Sequence, residues 1–195
     1  MNTTNIPANK NTAHYLLKQA TPENTFEIWN IMDFCHKNLT QKDFFICDDL
    51  EYVKDILSGN GFGVIACDNT GKIVGNLLVK YPGLEEENLG YDIFPTCFKP
   101  SEISGQPYSL EELQKVVHMD SASVLPDHRG HHLESRMIAF GETLIDTSRY
   151  SYAFATVAPE NTASLKSLMR NGYQIMDTKE KYGGVLRYIL MKHLI

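Results

Sequence analysis

No two of the four cysteines, Cys35, Cys47, Cys67 and Cys97, stand close enough to form a CxxC pair. That removes the usual spacing of a structural zinc site. A chain that is 43% hydrophobic also has little need of a disulfide framework. Free thiols in a reducing compartment are the simpler expectation. No apolar run is long enough to cross a bilayer, and the opening MNTTNIPANKNTA lacks the apolar stretch of a secretory leader. Repeats and low-complexity tracts are missing too. Positive charge is scarce: 18 Lys and Arg against 24 Asp and Glu leave a net charge of -6. Broad binding to nucleic-acid backbones needs the opposite balance, although a local basic pocket stays open. These absences predict a soluble cytoplasmic protein that neither binds nucleic acid nor enters a membrane. Its 195 residues suit one domain over 14–195, behind a loose tail over 1–13.

What is present reads as alternating elements. His14–Ala20 is a short first strand. Thr21-Pro22 supplies an N-cap and a proline at the first helical position. Ile28, Trp29, Met32 and Cys35 follow at helical spacing, which predicts a helix from Pro22 to Lys37. DDLEYVKDIL predicts a second helix, capped by Asp48 or Asp49, with Leu50, Val53, Ile56 and Leu57 buried and Gly59-Asn60-Gly61 ending it. FGVIACDNTGKIVGNLLVKY reads as a hairpin about Asp68–Gly71. An insertion at 82–108 has no regular period. It carries Pro82, Pro95, Pro100 and Pro107 with Tyr91, Phe94, Phe98 and Tyr108. So long a loop is often functional or disordered, and its aromatics fit an ordered lid as well as a cover for a sheet edge. Ser109 and Glu112 match a capping box for a short turn. KVVHMDSASV is a strand. The helix from Leu133 buries Leu133, Met137, Phe140 and Leu144, SYAFATV is a strand, and TASLKSLMRNG is a helix closed by Asn171-Gly172. Two last strands flank Lys179–Gly184. The order predicts an α/β fold: a mixed, mostly antiparallel central sheet flanked by helices on both faces.

SVLPDHRGHHLES, at Ser123–Ser135, joins a strand to a helix through a tight polar loop. The first N–H groups of a helix have no partner within it, and with the helix dipole they attract anions. Here Arg129-Gly130 turns the chain, Arg129 adds a charge, and His131 and His132 can add donors. His128, His131 and His132 also raise the idea of a metal. Adjacent residues at a helix start point apart, however, and no acidic or cysteine partner stands at a ligand spacing, so no metal is expected. A solvated turn is the third reading.

A second segment narrows the choice. VAPENTASLKSLMRNGY, at Val157–Tyr173, sets Asn161 just after a strand, Ser164 on the next helix and Gly172-Tyr173 after that helix. With VLPDHRG, at Val124–Gly130, it resembles the two cofactor motifs of the GNAT superfamily of acyl-CoA-dependent N-acetyltransferases. The resemblance extends from His14 onward, but only these two runs are specific. It implies acetyl-CoA, or another acyl-CoA, as co-substrate. The strand ending at Val124 should splay from the one ending at Val157, with the pantetheine arm in the gap against main-chain groups of Ser123 and Val124. Amides of Arg129, Gly130, His131, His132 and Leu133 would hold the pyrophosphate. Asn161 would bond the arm, with Ser164 close by. Two positions depart from the pattern. The superfamily usually has Gly where His132 stands, and Gly or Ala where Glu134 stands. A Cβ at positive φ is strained, and Glu134 repels a pyrophosphate unless it turns away.

Acetyl transfer to an amine needs a neutral nucleophile, a polarised thioester and a proton for the leaving thiolate. Strand alternation puts His118, Asp120, Ala122 and Val124 on one face. By resemblance, His118 falls where histone acetyltransferases of the superfamily carry a glutamate base. Serotonin N-acetyltransferase has histidines at the positions of His118 and Asp120. Both are candidate bases, Asp120 if burial raises its pKa. The helical Tyr that many members carry near the sulfur corresponds to Leu168, which leaves Tyr182 or water as the acid. All four cysteines are expected outside the cofactor gap. The leading expectation is an acetyl-CoA-dependent N-acetyltransferase that acts on a primary amine of a small molecule or peptide by direct attack in a ternary complex. Glu85, Glu86 and Glu87 could draw a cationic amine or simply be solvated. The superfamily often forms homodimers, but no surface here is fixed as a partner face. The alternative is a non-catalytic acyl-CoA-binding or sensing module, which His132, Glu134 and Leu168 favour.

Overall fold

The computed structural model describes residues 14–82, 89–97 and 113–194. The tail over 1–13, the glutamates Glu85–Glu87, the Ser109/Glu112 turn, and Phe98, Pro100, Pro107 and Tyr108 lie outside the described residues. Strand β1 (Leu16–Gln19) leads through a tight turn at Pro22–Asn24 into helix α1 (Thr25–Lys37). The turn is closed by Asn24 Oδ1, which accepts from the Thr21 N–H at 3.0 Å. Helix α2 (Leu50–Asp55) is capped by Asp49, whose carboxylate accepts from the Tyr52 N–H at 2.9 Å. Its wider continuation over Ile56–Asn60 stops at Gly59, whose φ of 136° suits glycine alone. Then come β2 (Gly61–Cys67), β3 (Ile73–Lys80), α3 (Gly90–Cys97) and β4 (Val116–Val124), followed by α4 (Leu133–Glu142), β5 (Tyr152–Val157), α5 (Thr162–Arg170), β6 (Gln174–Lys181) and β7 (Val185–His193).

The strands form one sheet in the order β1-β2-β3-β4-β5-β7-β6. β4 and β5 run parallel and the other described neighbours antiparallel. Alternate residues of β2 and β3 feed two cores. Val64, Ala66, Leu77 and Val79 pack with Met137 and Ile138 of α4 and Leu168 of α5. Ile65, Cys67 and Leu78 pack on the other face with Ile28 and Met32 of α1 and Val53 of α2. A third cluster joins Ile93 and Phe94 of α3 to Val116, Phe154 and Ile189.

That third cluster corrects the expectation of an irregular insertion at 82–108. Part of it is helix α3, and Ile93 and Phe94 are fully buried against β4, β5 and β7. The Phe94 ring meets Phe154 edge-on at 5.8 Å. Full burial of two such side chains contributes about 2 kcal/mol each. Lys179 (3.3 Å) and Lys181 of β6 hold Asp92 from the same helix. The helix escaped the sequence reading because its apolar signal is short and a proline, Pro95, falls inside it.

A β-bulge overturns the alternation expected along β4. Leu78 lies opposite Ser121 and Val79 opposite Met119, so Asp120 is the extra residue. Beyond the bulge the side chains change sides. Ala122 and Val124 pack on the α4 face, whereas Asp120 reaches Tyr52 of α2 on the other face. His118 and Asp120 therefore do not share a face with Ala122 and Val124. Just past this point the sheet opens. β4 and β5 pair only at Val116–His118 with Tyr152–Phe154, while β3 keeps β4 and β7 keeps β5 to their ends.

Gly61 lets β2 pass close to β3, because a Cβ there would lie 2.1 Å from the Val79 carbonyl oxygen and 2.9 Å from Ile56 Cγ2. Gly61→Ala is expected to destabilise the protein by about 2 kcal/mol or more, seen as a lower urea midpoint at unchanged slope.

Candidate active site

A cavity of about 620 Å³ fills the opening between the parted strands. Ala122, Ser123 and Val124 form one wall and Ala155, Thr156 and Val157 the other. The direction of each main-chain group follows from the β3–β4 ladder. The Leu125 N–H donates to the Val74 carbonyl at 2.9 Å, and hydrogen-bonded pairs alternate along an antiparallel ladder. Ser123 therefore turns its main chain toward β3. Ala122 and Val124 turn theirs into the opening. This corrects the expected main-chain role of Ser123. Its contribution is the side chain: the buried hydroxyl lines the cavity and has no hydrogen-bond partner among the described residues. The Val124 carbonyl already accepts from Arg129 Nε at 3.1 Å and from the Cys35 thiol at 3.5 Å. Cys35 thus lines the cavity, contrary to the expectation that every cysteine lies outside it. Burial pushes its thiol pKa up, against the pull of nearby Arg129, so it stays protonated.

One end of the cavity is cationic. Gly130 (φ 83°) and His132 (φ 56°) curl the loop so that its amides lead into α4. Arg129, Lys166 and Arg170 line this end. Arg170 donates to His132 Nδ1 at 2.8 Å, which fixes that nitrogen as an acceptor. The other two histidines turn to β1 and its approach: His128 Nδ1 bonds the Tyr15 hydroxyl at 3.1 Å, and the His131 ring lies 5.4 Å from the Tyr15 ring. The three imidazoles do not converge. His131 is not among the residues that line the cavity. Glu134 turns away from the loop, and its Oε1 accepts from Ser164 Oγ at 2.6 Å. Burial raises its pKa, opposed by hydrogen bonds from Ser164 and Ser167. Asn161 spends its Oδ1 capping α5 through the Ser164 N–H at 3.3 Å, and both residues still line the cavity. Lys166 and Arg170 escaped the sequence reading. Their spacing of four, which places both on one helix face, was the available signal.

The other end is acidic. Asp120 lines the cavity and its Oδ1 accepts from the Tyr52 hydroxyl at 3.1 Å. Asp48 stands beside it. Burial first, and the charge of Asp120 second, raise the Asp48 carboxyl to about 6, against the pull of Lys80. Lys80 Nζ sits 5.3 Å from the centre of the Tyr52 ring. The sequence offered Asp48 only as a helix cap, a place that Asp49 fills. Tyr182, at φ 53°, bonds its hydroxyl to Thr156 Oγ1 at 3.1 Å. Burial raises its pKa, and the carboxylates of Asp120 and Asp48 add to the effect. His118 is engaged: its Nε2 accepts from the Leu89 N–H at 3.2 Å. Leu168 is buried in the core and lines the cavity as an apolar wall.

Glu134 makes a pH test. Its pKa is higher in the folded than in the unfolded chain, so the folded state holds the proton longer. Stability is then lost as pH rises from the unfolded toward the folded value. Glu134→Gln keeps a partner for Ser164 and removes this loss. The variant should match the wild type near pH 4 and become progressively more stable than it as pH rises toward 8 in urea unfolding.

No family model and no curated protein matches the sequence. Among solved structures, Arabidopsis thaliana NAA60 in complex with a bisubstrate analogue superposes with a TM-score of 0.66 at 12% identity, covering 92% of this chain and 98% of that one. A phosphinothricin acetyltransferase of the GNAT superfamily from Sinorhizobium meliloti, in complex with acetyl-CoA, gives 0.62 at 12% identity over 94% and 89% of the two chains. A GNAT-family acetyltransferase from Listeria monocytogenes gives 0.62 at 16% identity over 92% and 95%. The sheet that parts between β4 and β5, with its helices on both faces, is the fold of the GNAT acetyltransferases.

Proposed function

We propose that the protein is an acetyl-CoA-dependent N-acetyltransferase for a primary amine, working by direct attack in a ternary complex. The observation that carries this reading is the opening between β4 and β5, with cations at one end and the Asp120 carboxylate at the other. The residues fit acetyl-CoA. The amides from Gly130 to Leu133, with Arg129, Lys166 and Arg170, suit a pyrophosphate. Main-chain groups of Ala122 and Val124 and the hydroxyl of Ser123 suit an amide-bearing arm. The bound thioester supplies an activated acyl carbon. Asp120 receives the ammonium and draws its proton off, leaving a neutral amine to form the new C–N bond as the C–S bond breaks. Tyr182, which keeps its proton through neutral pH, can give it to the sulfur, which leaves as a thiol, and take up the second proton that the nitrogen sheds as the amide forms. His118, with Nε2 engaged by the Leu89 amide, supports the strand next to Asp120. Cys35 stays a thiol, which favours direct attack over an acyl-enzyme. Among the described residues no helix is long and apolar enough to cross a membrane, and the free thiols of Cys35, Cys47 and Cys67 suit a reducing compartment such as the cytoplasm.

The test is thiol release from acetyl-CoA across a panel of primary amines. Asp120→Asn should lower kcat about a hundredfold and leave acetyl-CoA binding intact. Arg170→Ala should weaken acetyl-CoA about tenfold with kcat little changed. Tight acetyl-CoA binding without release for any amine would support the non-catalytic binding module instead.

A further inference from the structure

One side of the cavity is walled by the connection between α1 and α2, residues 38–49. Its one tight turn is Lys42–Phe44, where the Phe44 N–H donates to the Gln41 carbonyl at 3.2 Å and the Phe45 N–H to the Lys42 carbonyl at 3.3 Å. Leu39, Gln41, Phe44 and Phe45 line the cavity. Toward α1 the segment is tied locally. Lys42 Nζ donates to the His36 and Lys37 carbonyls at 2.7 Å, and His36 Nδ1 to the Phe45 carbonyl at 2.9 Å. Its other tie comes from the far half of the parted sheet. Arg187 of β7, only 3% exposed, donates through Nη2 to the Asp43 carbonyl and through Nη1 to the Phe44 carbonyl at 3.4 Å. The same guanidinium lies 5.4 Å from the centre of the Tyr182 ring, and the Tyr182 hydroxyl bonds Thr156 on the β5 wall. A guanidinium buried this deeply usually pairs with a carboxylate. Arg187 makes no salt bridge among the described residues. Its partners are two main-chain carbonyls and one aromatic face, and its Nε has none. A buried charge that forgoes an ion pair is costly, and here it joins two elements that face one opening.

We infer that Arg187 is a positioning residue, which bridges the parted sheet and holds the 38–49 wall and the Tyr182 ring at one fixed spacing. The inference rests on the acetyltransferase reading of the same cavity and adds the residue that sets its geometry. Arg187 is not among the residues that line the cavity, so it acts through Phe44 and Tyr182. The planar fork matters. It serves the carbonyls of two successive residues and leaves its face for the ring. A lysine keeps the charge but has no flat face, and a glutamine keeps a donor but has no charge.

The experiment compares the wild type with Arg187→Lys and Arg187→Gln, at saturating acetyl-CoA with n-butylamine as acceptor. In both variants kcat should fall about tenfold. The calorimetric Kd for acetyl-CoA, set at the cationic end by Arg129, Lys166 and Arg170, should change less than about twofold. In a Tyr182→Phe background, which keeps the ring and removes the hydroxyl, Arg187→Lys should lower kcat by no more than about a further twofold, because the bridge no longer has a donor to place. A general loss of structure gives losses that multiply instead. Hydrogen exchange of the protein alone supplies a readout that needs no turnover. The Phe44 and Phe45 amides should exchange about tenfold faster in both variants, with the β5–β7 ladder as slow as in the wild type. An unchanged kcat, multiplying losses in the double variant, or wild-type exchange at Phe44 and Phe45 overturns the inference. Either variant decides the matter where the other does not fold. If neither n-butylamine nor any other primary amine releases thiol, yet exchange at Phe44 and Phe45 rises in the variants, the acetyltransferase reading falls and the bridge stands. If thiol is released and the variants match the wild type in kcat and exchange, the bridge falls alone.

Discussion

The structure depends on one interrupted contact, the parallel pairing of β4 and β5, which stops after His118 and Phe154. Each strand keeps its outer neighbour to the end, so the interruption is local and the sheet survives it. The bulge at Asp120 falls two residues beyond the last pair. A bulge adds local twist to its strand, which turns β4 away from β5 at the point where the opening begins. The same bulge moves Asp120 to the α2 face while Ala122 and Val124 pack toward α4. One extra residue in one strand both opens the sheet and aims the carboxylate at the inner end of the opening.

An opened sheet exposes main-chain groups that a buried position cannot leave unpaired without cost. Part of the cost is offset within the chain, where Arg129 and Cys35 share the Val124 carbonyl. The rest falls to whatever fills the cavity. Its ends differ in charge, with Arg129, Lys166 and Arg170 against Asp120. A ligand with phosphates at one end and a site for an amine at the other has one favourable orientation. The overall charge of -6 conceals this polarity, because the field that matters is set within the cavity walls.

Much of this was legible in the sequence, for reasons that differ by element. The helices α1, α4 and α5 announced themselves through periodic apolar residues and local stop signals such as Asn171-Gly172. The two loop motifs marked the cationic end through turn chemistry that is local in sequence. The bulge was not legible, since strand alternation carries no mark of an extra residue until the register with β3 is known, and so the facing of Ala122 and Val124 was misjudged. Asp48 and Tyr52 were hidden for a related reason. They meet Asp120 across 68 residues or more of chain, and nothing in DDLEYVKDIL separates an acid at a cap from an acid at a site. Cys35 was read as one of the periodic residues of α1 and placed outside the opening; it packs in the core, but that core wall is also the cavity wall.

The backbone strain points the same way as the charges. Among the described residues, two that are not glycine hold positive φ, His132 and Tyr182. Each costs on the order of 1 kcal/mol relative to a relaxed backbone; His132 lines the cationic end of the cavity, and Tyr182 reaches Thr156 on the β5 wall. Both side chains are tied to other elements, His132 to Arg170 on α5 and Tyr182 to Thr156 on β5. A glycine at position 132 would relieve the strain and bring the backbone closer to a phosphate, yet it would release Arg170. A histidine there instead holds Arg170 beside the helix start, so the side chain replaces close main-chain approach with a positioned guanidinium. His132 is then less a defect in an anion loop than a different way of building one, in which the charge comes from α5 and the loop supplies its anchor.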